Sequence, residues 1–145
     1  MVNLIQEELG MIVRILYHRQ LKEGGISTIK KGLISPHKKD INWYYSNSKP
    51  SFTWGGAHNF YKHFSNRAGV ANSSSVLQVG DVVSIDFTGD GDIDHTIIIT
   101  KTTGTSSSEQ YVTYHTYDTC ETKTLSDFYN YDPKVKIYGY ELDQL

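Results

Sequence analysis

The chain has 145 residues, 21% of them charged, with a formal net charge of -2 at pH 7. That length suits one domain with a real core, and so even a balance of charge offers no global field for nucleic acid or an anionic membrane. A single cysteine excludes an internal disulfide framework, and no apolar run reaches the length of a membrane span.

In chain order, residues 2–9 place Leu4, Ile5 and Leu9 among polar neighbours, a short segment with helical content. It lacks the basic start and apolar middle of a secretory signal. "IVRILYHRQL" is an apolar and basic mixture whose period fits helix or strand. "KEGGIS" and "KGLISPHKKD" read as loops punctuated by Gly and Pro, and "INWYYSNSKPSFTW" as an irregular aromatic stretch. Thr53 can cap a helix through "GGAHNFYKHFSNR", where Ala57, Phe60, Tyr61 and Phe64 fall at helical spacing. The period then changes. "VLQVGDVVSIDF", "DHTIIITKT", "EQYVTYHTY" and "VKIYGYEL" read as four strands, with "LSDFYNYDP" a loop or short helical turn between the last two. The eleven tyrosines suit half-buried strands whose hydroxyls reach water. Loop-rich helices followed by an antiparallel meander of about four strands make an α+β chain. Residues 1–145 are expected to form one domain.

"DFTGDGDIDH" invites a calcium reading: a loop starting at Asp86 puts Thr88, Asp90 and Asp92 at its third, fifth and seventh positions and Gly91 at the sixth. The twelfth position, where a bidentate acid belongs, is Ile97. An acidic hairpin loop is the better account, and neither a metal nor another cofactor is expected. His95 opens an apolar strand, where a lone histidine is ordinarily a solvent-tipped strand end. It has company, however. If the hairpin across "KTTGTSSSEQ" is symmetric about Thr105, His95 lies opposite His115. One imidazole then serves as general base and the other fixes its tautomer, with Asp118 the rival orienter. Cys120 sits in "YDTCETKT", read as a loop with no helix N-terminus to acidify the thiol, so a structural role is preferred over that of a repositioned nucleophile. Trp43 and Trp54 frame the central helix, as core anchors or as walls of a substrate cleft.

Together, "WYYSNSKPSFTWGGAHNFYKHF", "VGDVVSIDFTGDGDIDHTIIIT" and "YVTYHTYDTCETKTLSDFY" resemble the putative amidase domain family, a bacterial branch of the papain-like cysteine hydrolases akin to NlpC-type and CHAP domains. The resemblance covers about residues 21–142. It implies a truncated papain-like fold, with N-terminal helices packed on the antiparallel sheet, and attack of a thiolate on an amide through an acyl-enzyme. The amide that the resemblance implies is one in cell-wall peptide or a related small amide. His95 matches the family histidine, His115 or Asp118 the third segment, and Trp54 the tryptophan before the second helix. Members are often exported; the compartment and oligomeric state of this chain are not legible.

The family nucleophile lies in D-C-[TA]-N-F-[VI]-S-Q, followed by a short helix ending near "GG". Here "LKEGGI" stands in the right place, but "MIVRILYHRQ" precedes it and has no cysteine. Shifted by one nucleotide, the same stretch changes meaning. Met11 ends in G and Ile12 begins AT, which forces GAT, aspartate. The following junctions can read Cys, Ala, Asn, Phe, Ile, Ser, Gln and Ala, giving D-C-A-N-F-I-S-Q-A directly before the in-frame "LKEGG". The expectation is a frame-disrupted amidase, in frame again near Gln20 or Leu21, with Met1 a start inside the disrupted gene or an artefact of gene prediction. It keeps its base and lacks its nucleophile. The alternative from another class is a binding module without catalysis that holds wall peptide or glycan.

Overall fold

The computed structural model describes residues 21–22, 24–114, 119–142 and 145. The expected helix over 2–9, the segment 11–20, His115 and Asp118 lie outside the described residues. The chain divides into two compact units, Met1–His63 and Phe64–Leu145.

In the first unit, Leu21 and Lys22 are helical, and the helix is stopped by "GGI". Gly25, at φ +100, donates its N–H to Lys22 O at 3.1 Å, and Ile26 donates to Leu21 O at 3.1 Å. This is the paired closure of a Schellman cap, and Leu21 and Ile26, the two positions that carry its apolar residues, are both buried. Further on, Ile29 and Trp43 exchange both main-chain hydrogen bonds at 2.8 Å, closing a loop that contains a 3₁₀ turn at Pro36–Lys38. The buried Asn42 side chain fills that loop. It accepts from Lys31 N–H at 2.7 Å and donates to Lys31 O at 2.9 Å and Pro36 O at 2.8 Å. Two helices follow, α1 (Phe52–Gly55) and α2 (Ala57–Arg67), the second of which runs on past His63 into the second unit. The single helix expected here is broken at Gly56, whose backbone is extended at φ -124, ψ 138. Ser51 takes the N-cap position, and the Thr53 hydroxyl donates instead to Asn42 O. It also bonds Ser51 Oγ at 2.9 Å.

The second unit holds a five-stranded sheet in which every pairing is antiparallel: β1 (Val82–Asp86), β2 (His95–Thr102), β3 (Gln110–Tyr114), β4 (Thr119–Thr124) and β5 (Lys136–Tyr140), in the order β4-β3-β2-β1-β5. The helical turn α3 (Leu125–Tyr129) follows β4. Five strands replace the expected four, because the segment read as the loop around Cys120 is β4. The meander is also incomplete: β5 returns to pair with β1, Val82 opposite Tyr140. Val83, Ile85, Ile97, Ile99 and Val112 form a core with Leu77, Leu125 and Phe128. Asp81, the acid of the "GD" turn, ties the far end of the sheet. Its carboxylate accepts from Gln78 N–H at 2.8 Å and Leu142 N–H at 2.9 Å. No helix among the described residues is long and apolar enough to cross a membrane.

Candidate functional site

His95 is the first residue of β2, half-buried and paired with Ile85 of β1. The acidic loop between those strands sets its position. Asp94 donates its N–H to Ile85 O at 2.9 Å, while its carboxylate accepts from Phe87 N–H at 2.8 Å. Asp86 is buried and accepts from Gly89 N–H at 2.6 Å, Gly91 N–H at 2.8 Å and Thr88 N–H at 3.1 Å. Burial works to raise its pKa. The N–H groups of Gly91, Gly89, Thr88 and Asp90 outweigh it and hold the carboxyl below the usual aspartate range. An anion committed to four amides organises a loop, and that gives the acidic run its structural account. Among the described residues, no group of three His, Cys, Asp or Glu side chains comes together to hold a metal.

The aromatic residue beside His95 is Tyr114, edge-on at 5.7 Å between ring centroids and 88° between planes. Tyr114 packs in turn on Phe128 of α3 at 5.6 Å, and Phe128 on Phe87 at 6.3 Å. These contacts limit ring rotation and give the imidazole a fixed wall. A hairpin symmetric about Thr105 gives no reason to single out Tyr114. In the structure the capping box of Ser106 and Glu109 opens a 3₁₀ turn at Ser107–Glu109, and the register slips at Thr100, between the pairs Ile99–Val112 and Lys101–Tyr111. Ile98 therefore faces Thr113, where symmetry demanded Val112. The displaced Thr100 hydroxyl is still satisfied, by Thr113 Oγ1 at 2.8 Å.

Of the other residues singled out, Cys120 has its backbone in β4 opposite Thr113. Trp54 belongs to α1 in the first unit and is 2% exposed. It packs on Trp43, with ring centroids 4.7 Å apart, and on Tyr45 at 5.8 Å. His63, also buried, stacks 6.4 Å from Trp43, and its Nδ1 donates to Asp40 O at 2.9 Å. A separate open groove of about 580 Å³ on this unit is lined by His37, Lys49, Pro50, Phe52 and Asn59, among others.

The model of the putative amidase domain matches residues 18–140. The chain belongs to the putative amidase domain family. The match spans both compact units, taking in the Schellman-capped "LKEGGI", the aromatic cluster of the first unit and all five strands of the second. No curated protein and no solved structure matches the chain significantly. Family membership brings the amidase domain as a whole to this chain; a residue-level mechanism has to come from its own side chains.

Proposed function

We propose that this chain is the frame-disrupted remnant of a papain-like cysteine amidase, with His95 as the surviving general base, His115 or Asp118 as its orienter, and no nucleophile. The observation that carries the reading is the coding of Met11–Gln20. One base out of phase, it can spell D-C-A-N-F-I-S-Q-A, and in-frame "LKEGGI" follows at once. Support comes from that junction: Leu21 and Lys22 are helical and end in a Schellman cap at Gly25, where a short helix after the nucleophile would stop. His95 is suited to base chemistry by its half-buried place at a strand start and by its fixed aromatic neighbour. In an intact site it would take the thiol proton and return it to the leaving amine.

Base catalysis alone is worth roughly 10² to 10⁴ in rate, whereas losing the nucleophile of a hydrolase costs on the order of 10⁶ in kcat. The chain as written is therefore inert as an amidase. The test is to replace Met11–Gln20 by D-C-A-N-F-I-S-Q-A and assay release from peptidoglycan fragments and small amides. Turnover should arise only in the repaired chain and vanish both with His95→Ala and with alanine in place of the restored cysteine. Equal turnover by the original chain, or a folded repaired chain without activity, sinks the proposal.

One observation favours binding without catalysis: the open groove on the first unit, where Phe52 is 49% exposed beside Lys49, His37 and Asn59. Phe52→Ala is the variant that probes this role. Trp54→Ala would instead remove a buried anchor, and loss of binding would then report loss of fold.

A further inference from the structure

The loop closed by the Ile29–Trp43 bridge carries two adjacent aliphatic side chains at its tip, Leu33 at 100% and Ile34 at 83% exposure. Isolated exposed aliphatics are ordinary on protein surfaces. This pair is held out by a built frame. Gly32 at φ +83 and Ser35 at φ +45 flank it with left-handed backbone, Pro36 opens the 3₁₀ turn behind it, and Asn42 pins both arms from inside. A left-handed serine costs conformational energy that surface solubility does not require.

The surroundings of the tip are basic. Lys30, Lys31, Lys38 and Lys39 flank it, with His37, and no acid occurs between Gly24 and Lys39. The four lysines are exposed. Lys30 Nζ lies 5.0 Å from the centre of the Tyr44 ring, so its chain is directed along the loop. The next acid, Asp40, lies 4.0 Å from Lys62. The chain as a whole has a net charge of -2, so this local cationic surface runs against the global balance.

We propose that the 29–43 loop docks the protein on an anionic lipid bilayer, with Leu33 and Ile34 entering the headgroup–acyl boundary and the flanking lysines meeting lipid headgroups. The combination of exposed apolar tip and cationic collar selects this occupant. A phosphate polymer would use the lysines and gain nothing from two aliphatic side chains. A second copy of the chain would set lysine collars against each other. A bilayer surface uses both features: each lysine near an anionic surface contributes roughly a fivefold gain in binding, and each aliphatic side chain withdrawn from water about tenfold or more. The inference rests on the first unit alone and stands whether or not the chain is an amidase remnant.

The full chain is tested by co-sedimentation with vesicles of phosphatidylcholine alone and of phosphatidylcholine with roughly one-third phosphatidylglycerol, which supplies a negative surface potential. Binding should require the anionic lipid and weaken with salt. It should fall at least about tenfold both in Leu33→Ser/Ile34→Ser and in Lys31→Gln/Lys38→Gln. Far-UV circular dichroism should stay unchanged, because all four side chains are exposed. Absence of binding to anionic vesicles at low salt overturns the proposal. So does binding that the aliphatic double variant leaves intact, which marks a purely electrostatic contact, or self-association that this variant abolishes in a chain that ignores vesicles.

Discussion

Asn42 is the side chain on which the first unit's long loop depends, and Asn42→Ala is the sharpest test of that dependence. The buried amide makes three hydrogen bonds, one accepted from Lys31 N–H and two donated, to Lys31 O and Pro36 O. Each is worth a net ~1 kcal/mol, and a buried group left unpaired costs ~1–3 kcal/mol. Lys31 is exposed, so water can replace part of what its backbone loses. The total then comes to about 3 kcal/mol. Both tryptophans of the chain lie in the first unit, and Trp43 adjoins the substituted residue. Urea unfolding followed by tryptophan fluorescence therefore reads that unit. With a slope of ~1–3 kcal/mol/M for a small domain, the midpoint should fall by about 1–3 M. Asn42→Asp separates hydrogen bonding from shape. It keeps the acceptor for Lys31 N–H but turns a second oxygen toward two carbonyls. It should destabilise at least as much near neutral pH and recover partly on acidification, when the protonated acid regains a donor. A midpoint shift below about 0.3 M for Asn42→Ala would refute the assignment of the loop's order to this amide.

Two further outcomes concern the loop that presents His95. Gly89 has φ +72, and a Cβ there would lie 2.7 Å from Lys134 O. Gly89→Ala should thus cost about 2–3 kcal/mol from left-handed backbone and a backbone clash together, read as a lowered thermal midpoint. The depressed Asp86 carboxyl carries a pH dependence with a definite sign. Its folded pKa lies below the unfolded value of about 3.9, so the unfolded chain binds the proton more tightly. Its stabilising contribution is full above that value and is lost as pH falls through the depressed one. Acid unfolding monitored by circular dichroism should show a component in that window that Asp86→Asn removes; an identical acid profile in the variant would disprove the role given to the amide cluster.

The strands containing Val82–Asp86, His95–Thr102, Gln110–Tyr114 and Lys136–Tyr140 were legible because apolar and β-branched runs stand between turn residues. Thr119–Thr124 was not, since "TCETKT" has no apolar alternation and gains its strand conformation only by pairing with β3 at the sheet's edge. Its ladder also shifts between Val112 and Thr113, near Glu121 at φ 51, which erases any period. The break at Gly56 was signalled by "GG" yet overridden by the helical spacing of Phe60, Tyr61 and Phe64. Nothing local announces that Asn42 bonds residues as far back as Lys31, or that Thr100 shifts a register and places Tyr114 beside His95. Those depend on which distant segments meet.

The placement of these features explains how amidase-domain membership can coexist with the loss of activity proposed for this chain. The matched stretch, residues 18–140, holds the Schellman cap at Gly25 and the Asp86 carboxylate that gathers the β1–β2 loop, and the Asp81 carboxylate ties Gln78 within it to Leu142 just beyond. Each pairs main-chain groups in turns and loop closures, so the local chain path depends on them directly. A catalytic thiol has no such duty. On the reading proposed above, frame loss confined to a stretch before Leu21 would remove chemistry while leaving these interactions intact. His95 itself is held by Ile85, by Tyr114 and by a loop closed on Asp86, none of which needs a nucleophile. Its geometry would accordingly outlast the reaction proposed for it, and repair of the preceding segment would meet the proposed base already in place.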